Sequence, residues 1–362
     1  MNYKLKVMNI EELNKIGEEL KKSPLFNLSL ASKELFHSNF LYWLSKYKLD
    51  LFVSVMGRLA DSTFNWDNSY KVEREKKQFD LSVWNDKEEV VFVLENKVKS
   101  IPYEDQLNKY TAKSPNAVRV LLSLTKMQNC PKNDWVQKNY CELSDILTSF
   151  VSDDDSYEGL LIKDYAKYIK NIHNLSTKWL ECIKVDKALG ELLEELRLDD
   201  VYQKSTFSSL CMKLEQKIET SYMHVDKFED IINNNNNGVK YYTRYDMMHG
   251  EGLFEVAFKK ADLIYEIMIQ GNKYQHMIYG QGKMEELEIM KESYPFVFKA
   301  EKYPEIMCKD KFLGNGNGKG YNSYEDKKAK KYTVYKYFTL DEKITHEDLI
   351  DAIIEDLRKN SN

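Results

Sequence analysis

The sequence predicts an α/β protein in two parts: an αβββαβ core on a mixed central sheet within residues 1–175, and an α+β unit with a mainly antiparallel sheet within residues 176–362. Three observations point there. Helical and strand-like patterns alternate through the first half, which suits helices packed on a sheet. Past about residue 238 the pattern changes to closely spaced strands rich in Tyr and Phe. The length, 362 residues, also exceeds what one typical domain needs.

The elements follow in order. Ile10, Leu13, Ile16 and Leu20 recur at helical spacing, so 10–22 is expected as an amphipathic helix. A second helix is expected over 30–47, where Phe36, Phe40, Trp43, Leu44 and Tyr47 form an apolar stripe with Leu41 at its edge. Strands are expected over 70–75, 79–84 and 89–95, and Asn85-Asp86-Lys87 supplies turn chemistry between the last two. Pro102 opens a helix to about Lys113, with Glu104 and Asp105 where the helix dipole favours acids. Val118–Leu124 is an apolar run suited to a buried strand, and a helix is expected near 143–150. Helical patterns then cover 158–198 and 205–222. Strands are expected over 239–245, 253–259, 263–270, 274–279, 294–299 and 332–338, and a last helix over 346–359. Asn233–Asn237 and the LGNGNGK segment at 313–319 read as loops.

Composition narrows the class. Hydrophobic residues at 43% and charged residues at 31% describe a globular chain, not a disordered one. No apolar run approaches the roughly 18 residues of a membrane span, and the charged N-terminus lacks the apolar core of a signal peptide. A cytoplasmic protein without a membrane partner is expected, its self-association left open. Cys130, Cys141, Cys182, Cys211 and Cys308 are scattered with no CxxC pair, so reduced thiols are expected. A net charge of −5 does not by itself attract nucleic acid. It makes a local basic groove or a divalent cation the means by which phosphate would be held.

The hairpin at 79–95 carries the chemistry. With its turn near Asp86–Lys87, the residue opposite Asp80 falls near position 93 or 94, which brings Glu95 within about one residue of register. Adjacent strands lie about 4.8 Å apart, close enough for two carboxylates to share a cation. Lys97, two residues beyond Glu95, shares its face. Mg²⁺ or Mn²⁺ prefers oxygen ligands, and Asp80, Glu95 and the Asn96 carbonyl would suit it. Such an ion activates water and neutralises charge at a phosphodiester, and Lys97 would orient the water or stabilise developing charge. An ordinary surface hairpin with salt bridges has the same spacing. Against that, Glu95 and Lys97 follow the apolar run VVFVL, where charge is costly unless paired or metal-bound.

Further polar residues accompany the hairpin. Gln106 and Tyr110, four apart on the following helix, present an amide and a phenol on one face for a phosphate or a metal's water shell. Glu34 borders the apolar stripe of the second helix and could lean into a cleft or stay solvated. His37 is expected to be structural.

Taken in order, ELFHS, REKKQFDLSVW, VFVLENKVKS and EDQLNKY resemble the bacterial PD-(D/E)XK nuclease superfamily, over roughly residues 30–175. The similarity is to the branch that opens on an acidic helix ending in His-Ser. It implies a restriction-endonuclease-like fold, with Asp80 as the motif aspartate, Glu95 and Lys97 as the ExK pair and Glu34 as a helical acid that would support a second cation. Gln106 and Tyr110 match the QxxxY of RecB-like and lambda-exonuclease-like nucleases. Phe79 stands where the motif more often has proline or isoleucine. The resemblance implies an Mg²⁺- or Mn²⁺-dependent phosphodiesterase acting on nucleic acid, on DNA before RNA, with restriction or anti-phage defence as the setting by analogy. The competing reading is a non-catalytic nucleic-acid-binding or protein-interaction protein that keeps the fold. The second half matches no motif. Its Tyr-rich strands, and Lys327–Lys331 beside the Gly/Asn loop, are read as packing and a charged loop before nucleic-acid contacts.

Overall fold

The structure, a computed structural model, describes residues 10–29, 34–62, 64–98, 104–124, 135–180, 185, 187–218, 222–225, 228–232, 240–248, 251–260, 263–281, 312–315, 322–326, 331–340 and 344–361. Two compact units emerge, Met1–Lys178 with Lys187–Ser205, and Trp179–Asp186 with Thr206–Asn362. No helix among the described residues is long and apolar enough to cross a membrane.

The first unit opens with α1 (Ile10–Lys22), as its 3.6-residue period predicts, and the short α2 (Pro24–Leu28). Ser23 caps α2 by accepting the N–H of Phe26, and proline takes the first turn, where its missing N–H costs nothing. Then come α3 (Glu34–Tyr47) and α4 (Leu49–Leu59), the latter unforeseen. Only Lys48 separates them, and α4 buries Phe52, Val55, Met56 and Leu59.

Five strands form one sheet in the order β1 (Lys71–Arg74), β2 (Leu81–Trp84), β3 (Val90–Lys97), β4 (Val118–Ser123) and β5 (Val136–Asn139). β1–β2 and β2–β3 are antiparallel, whereas β3–β4 and β4–β5 are parallel, so the sheet is mixed as expected. α5 (Glu104–Lys113) makes the crossover from β3 to β4. β5 was not foreseen, because VQKN has no apolar pattern and its four residues are only half-buried at the sheet's edge. Asn139 then starts α6 (Tyr140–Val151) with a capping box: its side chain accepts from the N–H of Glu142, whose carboxylate accepts from the N–H of Asn139.

One stretch breaks the regular geometry. A 3-10 turn, Lys76–Gln78, joins β1 to β2, and Glu75, Lys77 and Gln78 hold φ of 55°, 54° and 73°. Left-handed backbone at non-glycine residues costs on the order of 1 kcal/mol each and concentrates at functional sites. The turn therefore delays β2, which begins at Leu81 and not at Phe79.

The helical pattern over 158–198 resolves into α7 (Tyr157–Trp179) and α8 (Lys187–Glu195), and the next helix, α9 (Asp199–Lys217), starts six residues before its expected position. In the second unit, β6 (Met223–Val225) and α10 (Phe228–Ile232) precede long strands. These are β7 (Lys240–Met248), β8 (Glu251–Lys260), β9 (Leu263–Gln270), β10 (Lys273–Gln281), β11 (Phe312–Asn315), β12 (Asn322–Asp326) and β13 (Lys331–Leu340). Their order is β11-β13-β10-β9-β8-β7-β6, with β12 also on β13, and every pairing is antiparallel except β6–β7. α11 (His346–Ser361) packs Ile350 and Ile353 into a core with Phe254, Ile267, Tyr274 and Val334. Beneath α11, Tyr274 Oη donates to Asp356 Oδ2 at 2.7 Å, and His276 Nε2 lies 2.7 Å from the same oxygen.

Residues 313–315, expected in a loop, belong to β11. The expected strand 294–299, the Asn233–Asn237 run and Lys327–Lys330 lie outside the described residues. Of the cysteines, Cys141 is half-buried and Cys211 buried, both as free thiols.

Candidate active site

The site is built where β2 begins and β3 ends. Val83 pairs with Phe92 and Leu81 with Leu94, so continuing the register by one residue sets Asp80 opposite Glu95. This differs by one or two from the position counted back from the turn. The cause is a bulge: Trp84 pairs with Val90, and the extra residue on β3 shifts everything beyond it.

Asp80 is fixed to this register by a hydrogen bond in which the Asn96 N–H donates to its Oδ2 at 2.7 Å. An extended residue turns its N–H and C=O to the same flank. The Asn96 carbonyl therefore faces the flank on which Asp80 lies, beyond the end of β2.

Glu95 and Lys97 project from one face of β3. Glu95 is 1% exposed, at the end of the apolar run Phe92-Val93-Leu94. Its carboxylate is charge-compensated in place: Lys97 Nζ lies 3.0 Å from Oε1, and Gln106 Nε2 donates to the same oxygen at 3.2 Å. The amide also donates to Tyr110 Oη at 3.2 Å, so the face of α5 is joined to the strand end through one side chain. Tyr110 packs edge-on against Phe79, ring centroids 5.5 Å apart. Burial, ahead of the nearby Glu95 and Asp80 charges, pushes the Tyr110 phenol above its usual range, so it remains a proton donor.

The opposite face of β3 is locked by a buried aromatic layer. Asn96 is fully buried, and its Oδ1 accepts a hydrogen bond from Tyr140 Oη at the start of α6. The rings of His37 and Tyr140 lie 5.1 Å apart, and His37 Nδ1 is 3.0 Å from Tyr165 Oη. Desolvation lowers the His37 pKa to about 3. A neutral, enclosed imidazole is structural, as expected, and cannot serve as a base facing substrate. The contact of Tyr140 with Asn96 has no marker in the sequence.

Asp80, Glu95, Asn96, Lys97, Gln106 and Tyr110 are thus brought together. Glu34 opens α3, and its side chain lies outside the described residues. The donor chemistry fits a hard divalent ion: two carboxylates from facing strands and a carbonyl on the same flank are all oxygen ligands. Among the described residues there is no group of three or more His, Cys, Asp or Glu disposed to hold a metal. Oxygen donors of this kind suit Mg²⁺ better than zinc, whose structural sites favour Cys and His.

Residues 25–184 match a family model described as the PD-(D/E)XK nuclease superfamily, a span that includes every residue of this site. No curated protein and no solved structure matches the chain.

Proposed function

With residues 25–184 placed in the PD-(D/E)XK nuclease superfamily, we propose that the chain is a metal-dependent nuclease that hydrolyses phosphodiester bonds, DNA before RNA, at the β2–β3 strand ends. One observation supports this above the rest: the register opposes Asp80 to Glu95 while Lys97 stands 3.0 Å from the Glu95 carboxylate.

Asp80, Glu95 and the Asn96 carbonyl would hold Mg²⁺ or Mn²⁺, with Glu34 supporting a second ion or the water shell. A divalent ion bound there supplies a water of lowered pKa and neutralises charge on the phosphate. The Lys97 ammonium orients the attacking water or stabilises the charge that develops as the P–O bond breaks. Tyr110 offers its phenol O–H to substrate oxygens, and Gln106 would bind substrate by turning one of its two N–H groups away from Glu95 or Tyr110. The nuclease is assigned to residues 1–175, and residues 176–362 are given no role. A restriction or anti-phage role rests on analogy within the superfamily.

The test is cleavage of plasmid, single-stranded DNA and RNA by purified protein with Mn²⁺, against Lys97→Ala. Nicking or degradation by the wild type alone is expected. Intact substrates throughout would favour a non-catalytic nucleic-acid-binding protein that keeps the fold.

A further inference from the structure

We propose that the outer face of α5, together with the left-handed turn before Asp80, forms a strip that binds the phosphodiester backbone flanking the scissile bond, with Lys77, Lys109 and Lys113 as its cations. The inference rests on the nuclease reading of the Asp80–Glu95 site and extends it outward.

Spacing along α5 comes first. Gln106, Lys109, Tyr110 and Lys113 stand at i, i+3, i+4 and i+7, so they share one helix face. Gln106 begins this face at the Glu95 carboxylate. Lys113 ends it about 10 Å further along the axis, at about 1.5 Å per residue. That span equals about three phosphates of one strand measured along a duplex, at about 3.4 Å each.

The turn lies against the far end of that face. Lys113 Nζ donates to Gln78 Oε1 at 2.6 Å, and the same ammonium stands 5.6 Å from the Tyr110 ring centroid. Lys77, in the left-handed region, projects its ammonium over the buried Trp84 ring at 4.8 Å. Lys76 lies beside it over the same ring, at 4.2 Å.

Charge decides the ligand. The chain carries −5 overall, and several lysines of the first unit stand on carboxylates, Lys138 on Asp61 at 2.6 Å, Lys170 on Asp145 at 2.8 Å and Lys163 on Asp155 at 3.0 Å, whereas the exposed Lys15, Lys22 and Lys46 make no such pair among the described residues. Lys76 is likewise neutralised, by Glu88 at 2.6 Å. What sets Lys77, Lys109 and Lys113 apart is their place, on the face of α5 and the turn beside the Asp80–Glu95 site. All three are exposed, and among the described residues none makes an ion pair with a carboxylate, Glu88 acting on Lys77 only at longer range than on Lys76. Lys113 touches only a neutral amide and an aromatic ring. Uncompensated cations concentrated beside one site of an acidic protein attract a polyanion there, and held ammonium groups bind phosphates as point charges. Side chains of this type carry no base code, so the strip gives affinity and register without sequence preference.

The experiment is fluorescence anisotropy with fluorescein-labelled single-stranded and duplex DNA, and a labelled RNA arm, in Ca²⁺ across a series of KCl concentrations. It is paired with steady-state cleavage in Mn²⁺. Lys77→Ala/Lys113→Ala is expected to weaken binding about tenfold at low salt and to flatten the slope of log K against log salt by about 1 to 2, with the cleavage loss carried by KM. Lys15→Ala/Lys22→Ala, which removes the same charge from α1, should match the wild type. Lys113→Arg should retain binding. An unchanged affinity and salt slope in Lys77→Ala/Lys113→Ala, while Lys97→Ala abolishes cleavage, would overturn the strip and leave the nuclease reading standing. The same holds if the melting midpoint falls but the slope does not move, which would make Lys113 a clamp on the turn alone. A wild type that neither binds nor cleaves any of the nucleic acids would overturn both.

Discussion

Asp80 Oδ2 accepts the N–H of Asn96 at 2.7 Å, so the loop that enters β2 is tied to β3 at the peptide joining Glu95 to Asn96. The carboxylate is thereby held by backbone. Substitution at either neighbour of that peptide reports on a different part of the site.

Lys97→Ala tests the ammonium. Its side chain is 13% exposed and that of Glu95 only 2%, so the pair is largely enclosed. Cleavage is expected to fall by about 10²- to 10⁴-fold, the usual contribution of a positioned proton-handling or charge-stabilising group. Stability is expected to fall by on the order of 3 kcal/mol in urea denaturation, because a buried carboxylate loses its countercharge. Cleavage equal to wild type would remove Lys97 from the reaction.

Tyr140→Phe tests the layer behind the strand. The change removes a donor to the buried Asn96 Oδ1, and a loss of about 1 kcal/mol in stability is expected. Because Asn96 also orients Asp80, Mn²⁺ affinity should fall by about tenfold, as is common when a group supporting a ligand is lost. Calorimetry that finds the affinity unchanged would confine Tyr140 to packing.

Much of this was legible in sequence because the signals are local. The alternation of periods gave αβββαβ, and the apolar run ending at Glu95 marked a buried acid. Four features were not. The bulge between Val83 and Trp84, which completes the Asp80–Glu95 register, is a cross-strand event with no marker in one strand's sequence. α4 follows α3 after Lys48 alone, with neither a proline nor a glycine to mark the break. β5 is specified by its backbone pairing with β4 and not by side-chain pattern. The contact between Lys113 and Gln78 depends on left-handed backbone at residues whose type gives no hint of it.

His37 sets an acid sensitivity. The folded protein keeps it neutral down to about pH 3, whereas the unfolded chain protonates it near 6.5. Between those values the unfolded state binds the extra proton. Stability associated with the neutral ring is thus whole above about pH 6.5 and is lost as pH falls toward 3, by about 1.4 kcal/mol per pH unit. From pH 7 to 5 the wild type should lose about 2 kcal/mol more than His37→Gln in urea titrations. Equal losses would show that His37 is protonated in the fold.

The most direct measurement of the central claim is a calorimetric Mn²⁺ titration of the wild type, Asp80→Asn and Glu95→Gln, each checked for folding by circular dichroism. The account predicts saturable binding in the wild type that is lost in both folded variants. Wild-type affinity retained in either one would show that Asp80 and Glu95 do not share a cation.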